Sequence, residues 1–129
     1  MKAISLEKTI LTAANNHSVT GKRLSIAVSG GPDSMAMAHA LIASQKEMNS
    51  DIEILHFNHQ IRGEDSQLDA KFVQTYFDSL GIPTFVSEKN VIKLSRQRRT
   101  SLETAARSAR YEFFANHIHK KGNKSALVL

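Results

Sequence analysis

Arg23–Ser34 reads RLSIAVSGGPDS, and the way this stretch folds decides the architecture of the chain. Leu24 to Val28 is a short run of apolar and β-branched residues, long enough for a strand buried on both faces and too short for a helix. Ser29, Gly30, Gly31 and Pro32 follow at once. Two consecutive glycines tolerate positive φ and the proline fixes its own, so the spacing predicts a tight turn with its N–H groups facing one way, an anion nest. From Asp33 and Ser34 the chain enters Met35, Ala36, Met37, Ala38, Ala40, Leu41 and Ile42. This is a strong helix-forming run, whose positive N-terminal end would point where the loop amides point. Strand, glycine-rich loop and helix N-terminus together predict a phosphate site.

The common nucleotide fingerprints do not fit. A Walker A loop needs G-x-x-x-x-G-K-[ST] and a dinucleotide site G-x-G-x-x-G, and the chain contains neither. What it contains is S-G-G-x-D-S, which resembles the signature loop of the PP-loop pyrophosphatase superfamily. That resemblance implies cleavage of ATP between its α- and β-phosphates and adenylation of a substrate oxygen.

The rest of the chain is read outward from this loop. Upstream, Ser5 predicts the cap of a first helix with Leu6, Ile10, Leu11 and Ala14 on one side, ending near Asn15, Asn16 and His17. Downstream, Asn49 and Ser50 mark a turn and Asp51 to Phe57 reads as a second strand, followed by a polar loop from Asn58 to Gly63. In open α/β sheets that carboxyl end is where ligands bind. Glu64 to Leu80 is helical by periodicity, with Leu68, Phe72, Val73, Tyr76, Phe77 and Leu80 as its apolar positions; Gly81 stops it and Pro83 follows. Thr84 to Val86 begins a third strand. The segment from Lys89 to Arg99 carries Lys89, Lys93, Arg96, Arg98 and Arg99, and is expected to touch RNA phosphates, a solvated connector being the competing reading. Thr100 with Glu103 predicts a capping box opening a last helix whose stripe is Leu102, Ala105, Ala106, Ala109 and Phe113. Ser125 to Leu129 reads as a fourth, interior strand.

Strands alternating with helices imply an α/β fold, a parallel sheet with helices on both faces, joined by right-handed crossovers. At 129 residues the chain is about one domain. No apolar run is long enough for a transmembrane helix, and the N-terminus lacks the apolar segment of a signal peptide. The absence of cysteine excludes disulfides and thiolate sites, and a cytoplasmic protein is expected. Charge is unevenly placed. Residues 1–85 hold seven Lys/Arg against nine Asp/Glu, whereas residues 86–129 hold ten against three. A basic end of that kind suits a polyanion such as RNA.

Four stretches line up in order: SGGPDS from Ser29, HFNHQIRGEDS from His56, LGIP from Leu80 and TSLETAARSARYEFF from Thr100. Together they resemble the N-terminal catalytic domain of the tRNA(Ile)-lysidine synthetase family. The resemblance implies a Rossmann-like PP-loop ATPase fold of strand order 3-2-1-4. It also implies a ligase that adenylates the wobble cytidine of an isoleucine tRNA with ATP and joins free L-lysine to it. By the same resemblance Ser29, Gly30, Gly31, Pro32 and Ser34 hold the ATP phosphates, and Asp33 acts through Mg²⁺. His59 and Arg62 lie at the mouth of the site. Arg107 and Arg110, in the A-A-R-x-x-R-Y element, offer planar donors to the α-phosphate. For Arg107 a surface ion pair with Glu103, one turn earlier, is the competing reading; His117 and His119 point to different faces and do not form a metal pair.

Family members continue past the fourth strand with a His- and Asp-rich loop and tRNA-recognition domains, so residues 1–129 read as a truncated N-terminal domain. Homodimerisation through its last strand is expected. Two other functions remain open at this level: a tRNA thiolase of the same superfamily, which the lack of cysteine disfavours, and a nucleotide- or RNA-binding module without catalysis.

Overall fold

The computed structural model describes residues 23–121 and 125–128, so the helix expected from Ser5 lies outside the described residues. β1 (Arg23–Ala27) is an inner strand, with β2 (Ile52–Asn58) on one side and β4 (Ser125–Val128) on the other, and β3 (Thr84–Glu88) lies outside β2. All three pairings are parallel, which gives the order β3-β2-β1-β4 expected from the sequence. Ile26 stands opposite Ile54 in β2 and Val128 in β4.

Between the strands run α1 (Pro32–Ala43), the short α2 (Gln45–Met48), α3 (Glu64–Ser79), α4 (Val91–Arg98) and α5 (Leu102–Lys121). Alternation along the strands sorts them onto two faces. Leu24, Ile26, Val28, Ile52 and Ile54 pack with Ala38 and Leu41 of α1 and with Val73 and Phe77 of α3. Phe57, on the other face of β2, packs with Val91 of α4 and with Ala105 and Ala109 of α5. Helices therefore cover both faces, and every residue of β2 is buried.

One polar device is built into the second face. Glu53 is buried on β2, where it accepts a hydrogen bond from Ser25 Oγ at 2.7 Å and pairs with Nε2 of His117 on α5 at 3.1 Å. A carboxylate in this position has to be partnered, because taking an unpaired charge out of water is prohibitive. His117 is thereby turned inward against Phe85, 4.8 Å between ring centroids, while His119 is exposed, as their spacing requires.

Four local expectations are corrected. β2 runs from Ile52 to Asn58, one residue later at each end than expected, because Asn58 still follows the ladder opposite Glu88. The stretch after β3 is not a connector but a helix, capped by Asn90, whose side chain accepts from the Lys93 amide at 3.0 Å. α3 buries Ser66, Ala70, Val73 and Phe77, leaving Leu68 and Phe72 58% and 51% exposed. On α5, Ala105 and Ala109 are buried and Ala106 and Phe113 pack against them as expected, but Leu102 is exposed and Phe114 joins the buried set.

The cap of α5 also moves. Arg99 takes a left-handed conformation at the end of α4, with φ of 52°, and the Thr100 amide bonds back to Ser95 O at 3.0 Å. Thr100 thus belongs to the termination of α4. The cap passes to Ser101, whose Oγ accepts from the Thr104 amide at 3.1 Å. Ser101→Ala is expected to cost about 1 kcal/mol of unfolding free energy, in the usual range of a lost N-cap, whereas Thr100→Ala stays within about 0.5 kcal/mol. Urea denaturation of the two variants checks the assignment; equal losses would return the cap to Thr100.

Candidate active site

The order β3-β2-β1-β4 places the topological switch between β1 and β4, and the loop that leaves β1 opens there. Gly30 has φ of +95°, a region that side chains strain to enter, and a Cβ added to it would lie 3.4 Å from Val73 Cγ2 in the core. Gly31 does not share this geometry. At φ −77° and ψ 165° it is extended and forms the N-cap of α1, so of the two glycines that tolerate positive φ only Gly30 uses it. Pro32 fills the first helical position, where a missing N–H costs nothing.

The loop is held shut by its own hydroxyls. Ser34 Oγ donates to Gly31 O at 3.2 Å and accepts from the Ser29 amide at 3.2 Å, and Ser29 Oγ accepts from the Gly31 amide at 3.3 Å. The two hydroxyls lie 3.1 Å apart. No side chain caps α1, so its first-turn amides face the cleft end of the helix without an intrahelical partner. Asp33, at the second helical position, is exposed beside them.

Opposite the loop, the end of β2 forms the second wall. Asn58 is buried, and its Oδ1 accepts from the Gln60 amide at 3.0 Å, which bends the chain through Gln60 at φ of 58°. The Ile61 amide then donates to Nδ1 of His59 at 3.0 Å. Ser66 Oγ, at the third position of α3, accepts from the Arg62 amide at 3.1 Å, and the Arg62 guanidinium pairs with Asp69 one further turn along. Burial, then the Arg62 guanidinium beside it, lowers the pKa of His59 below its ordinary value; His56 and Arg110 act the same way and Asp69 opposes them. His59 is therefore neutral at neutral pH.

These walls enclose a cleft of about 720 Å³, floored by Ala27, Val28 and Phe57 and closed on its third side by Ala106, Arg110, Tyr111 and Phe114 of α5. Ser29, Gly30, Gly31, Ser34, His59 and Arg62 line it. Of the residues singled out from sequence, Pro32, Asp33 and Arg107 are not among its lining. Arg107 and Arg110 each bring Cζ to 5.5 Å from the Tyr111 ring centroid, a cation–π arrangement that turns one guanidinium to the cleft and leaves the other outside it. Among the described residues the ion pairs are Arg62–Asp69 and Glu53–His117, so the Glu103–Arg107 pair is not formed. Asp69, Ser66 and Tyr111 were not singled out beforehand. Asp69 had a signal, since it lies seven residues after Arg62 across the start of a helix; Tyr111 followed Arg110 directly.

A cleft with a glycine-rich loop, a helix N-terminus and the guanidinium-bearing Arg62 and Arg110 suits a phosphorylated ligand. Comparison with known proteins agrees. Residues 3–128 match a family model described as a PP-loop domain. The chain is 39% identical over 121 residues to the tRNA(Ile)-lysidine synthase of Clostridioides difficile (strain 630), an alignment covering 92% of this chain and 26% of that protein. It is 36% identical over 119 residues to the tRNA(Ile)-lysidine synthase of Oceanobacillus iheyensis, covering 91% and 26% respectively. With the bifunctional protein TilS/HprT of Listeria monocytogenes it shares 36% over 107 residues, 83% of this chain and 16% of that one. The chain spans about a quarter of the length of the two lysidine synthases.

Proposed function

The chain belongs to the PP-loop domain family, and from that premise we propose that its cleft binds ATP to adenylate the wobble cytidine of an isoleucine tRNA, which free L-lysine then attacks to give lysidine. The observation that carries the reading is the pairing of the Ser29–Ser34 loop with Arg62 and Arg110 across one cleft. In this reading the loop holds the ATP phosphates through the Gly30 amide and the first-turn amides of Asp33 and Ser34, with the Ser29 and Ser34 hydroxyls bracing the loop, Gly30 and Gly31 permitting close approach and Pro32 fixing the turn. Arg110 meets the α-phosphate, where negative charge builds as pyrophosphate departs. Arg107, outside the cleft, supports the Tyr111 ring.

Mg²⁺ fits the donors present. It is commonly bound through one or two carboxylates plus substrate phosphates and water, and Asp33 offers an exposed carboxylate next to the loop. When bound it neutralises charge on the phosphates. A second copy pairing along β4, an edge strand of the described sheet, belongs to the same reading. So does a cytoplasmic setting; no helix among the described residues is long and apolar enough to cross a membrane.

The tRNA would meet α4. Lys89, Lys93, Arg96, Arg98 and Arg99 are all exposed around that short helix, with Val91 and Ser95 turned to the protein. Five phosphate contacts give a log–log salt slope of about −4.5, taking the duplex DNA coefficient for RNA, and each contact removed lowers it by about one unit. Arg98→Ala with Arg99→Ala should therefore reduce the slope by about two units in filter-binding titrations. An unchanged slope would make α4 a solvated surface.

ATP–pyrophosphate exchange with and without an unmodified isoleucine tRNA tests the whole reading. Exchange that rises with this tRNA supports it. Exchange that responds only to a thiolation substrate would assign a tRNA thiolase, and ATP binding with no tRNA response a non-catalytic module.

A further inference from the structure

Two histidines near the end of β2 have their tautomers set by backbone partners, in opposite senses. A backbone N–H can only donate, so the Ile61 amide at 3.0 Å from Nδ1 of His59 requires a lone pair on that nitrogen. The single proton of the neutral ring is then on Nε2. A carbonyl can only accept, so Val28 O at 2.7 Å from Nδ1 of His56 requires the proton on Nδ1 there. His59 lines the cleft, and with Nδ1 turned into its own loop the Nε2–H edge is the one left for a ligand.

We infer that His59 is a fixed, uncharged hydrogen-bond donor that reads a phosphate oxygen of the bound nucleotide through Nε2–H, and is neither a general base nor a cation. The identity of that acceptor rests on the ATP reading above; the tautomer does not. The charged and titratable groups around the ring are Arg62, His56, Asp69 and Arg110. Arg62 and Arg110 already supply the positive charge, and Asp69 is committed to Arg62. What the histidine adds is direction. Protonating it would place an N–H on Nδ1 against the Ile61 N–H, donor facing donor, so the ring cannot gain charge without breaking the turn that positions it. The lowered pKa agrees. Since the folded chain resists this protonation, the unfolded chain binds the proton first, and stability through this group falls as pH drops below about 6.5.

The test has two arms on the full 129-residue chain. Two-bond ¹⁵N–¹H spectra of the ligand-free protein at pH 7 read the tautomers directly, and are expected to show Nε2-protonated His59 beside Nδ1-protonated His56. ATP titrations then compare variants. His59→Gln retains an amide donor and an acceptor for Ile61, and should bind ATP within about threefold of wild type. His59→Leu, checked for native melting, should lose about ten- to a hundredfold, the usual effect of a hydrogen bond to a charged group. The wild-type to His59→Gln affinity ratio should stay flat from about pH 8 to 6, because a neutral donor does not gain strength from protons.

An Nδ1-protonated or doubly protonated His59 would overturn the inference before any ligand is added. So would a His59→Leu variant that binds like wild type, a His59→Gln variant as weak as His59→Leu, or wild-type affinity that climbs over His59→Gln as pH falls. A wild-type chain that binds no ATP would sink the ATP reading and the donor role with it, while the spectra still decide the tautomer on their own.

Discussion

Arg110→Ala is expected to weaken ATP binding by about ten- to a hundredfold in calorimetric titration, while Arg107→Ala shifts it by less than about threefold. The first variant removes a charged donor from the cleft wall, and hydrogen bonds to charged groups contribute roughly 1.5–3 kcal/mol. Both guanidiniums stand 5.5 Å from the Tyr111 ring centroid, yet only Arg110 lines the cleft. Loss of the Arg107 contact removes a cation–π interaction on an exposed face, which contributes about 0.5–1 kcal/mol. Arg110→Lys should recover only part of the loss, since an ammonium keeps the charge but not the two-pronged fit to phosphate oxygens. Equal effects at both positions would mean that the arginines act through Tyr111 and not on the ligand.

Phe77→Ala is expected to cost about 3–5 kcal/mol of unfolding free energy, the range for emptying a buried aromatic site. Phe77 is fully buried among Leu24, Ile26, Val73 and Ile82, and meets Tyr76 edge to face at 5.1 Å. Single domains are stable by about 5–15 kcal/mol, so the variant should melt far earlier than wild type and populate unfolded chain in low urea. Phe72→Ala, on the same helix but 51% exposed, serves as the internal comparison and should stay within about 1 kcal/mol. If the two cost the same, the face of α3 that meets the sheet is not the one described.

The contrast between these phenylalanines shows what could and could not be read from the chain alone. Both fall on the apolar periodicity of α3, and periodicity cannot tell which edge of a broad stripe meets the sheet. That depends on how the helix is rolled, which here sets Ala70, Val73 and Phe77 inward and Val73 and Phe77 against Leu24 and Ile26. The parallel α/β layering was legible because short apolar runs alternate with helices, whereas the strand order came from the family resemblance. α4 was not, because Val91, Ile92 and Leu94 are too few to show a period among five basic residues, and its Asn90 cap was overlooked. The loop residues of the site were legible from S-G-G-x-D-S, although the shared use of hydroxyls and amides within the loop was not. Nothing in the sequence separates Arg107 from Arg110. Both lie on the Phe114 side of α5, and the distinction is one of position along the helix, where Arg110, a turn further on, lines the cleft with Phe114. The tautomers of His56 and His59 needed the backbone itself.

The carboxylate of Glu53 has a consequence for how the sheet assembles. Ile52, Ile54, Leu55 and Phe57 are close enough in size and character that an apolar β2 could pair with β1 one residue out of step at modest cost. A slip of one residue, however, turns every side chain of the strand to the opposite face. It would drive Glu53 away from Ser25 and His117 and into the layer of Leu24, Ile26, Val73 and Phe77, leaving a buried charge with no partner. Such a charge costs several kcal/mol, more than the slipped strand recovers, so mispaired sheets are short-lived and re-open. Glu53 thereby marks the one register of β2 in which its carboxylate keeps its partners.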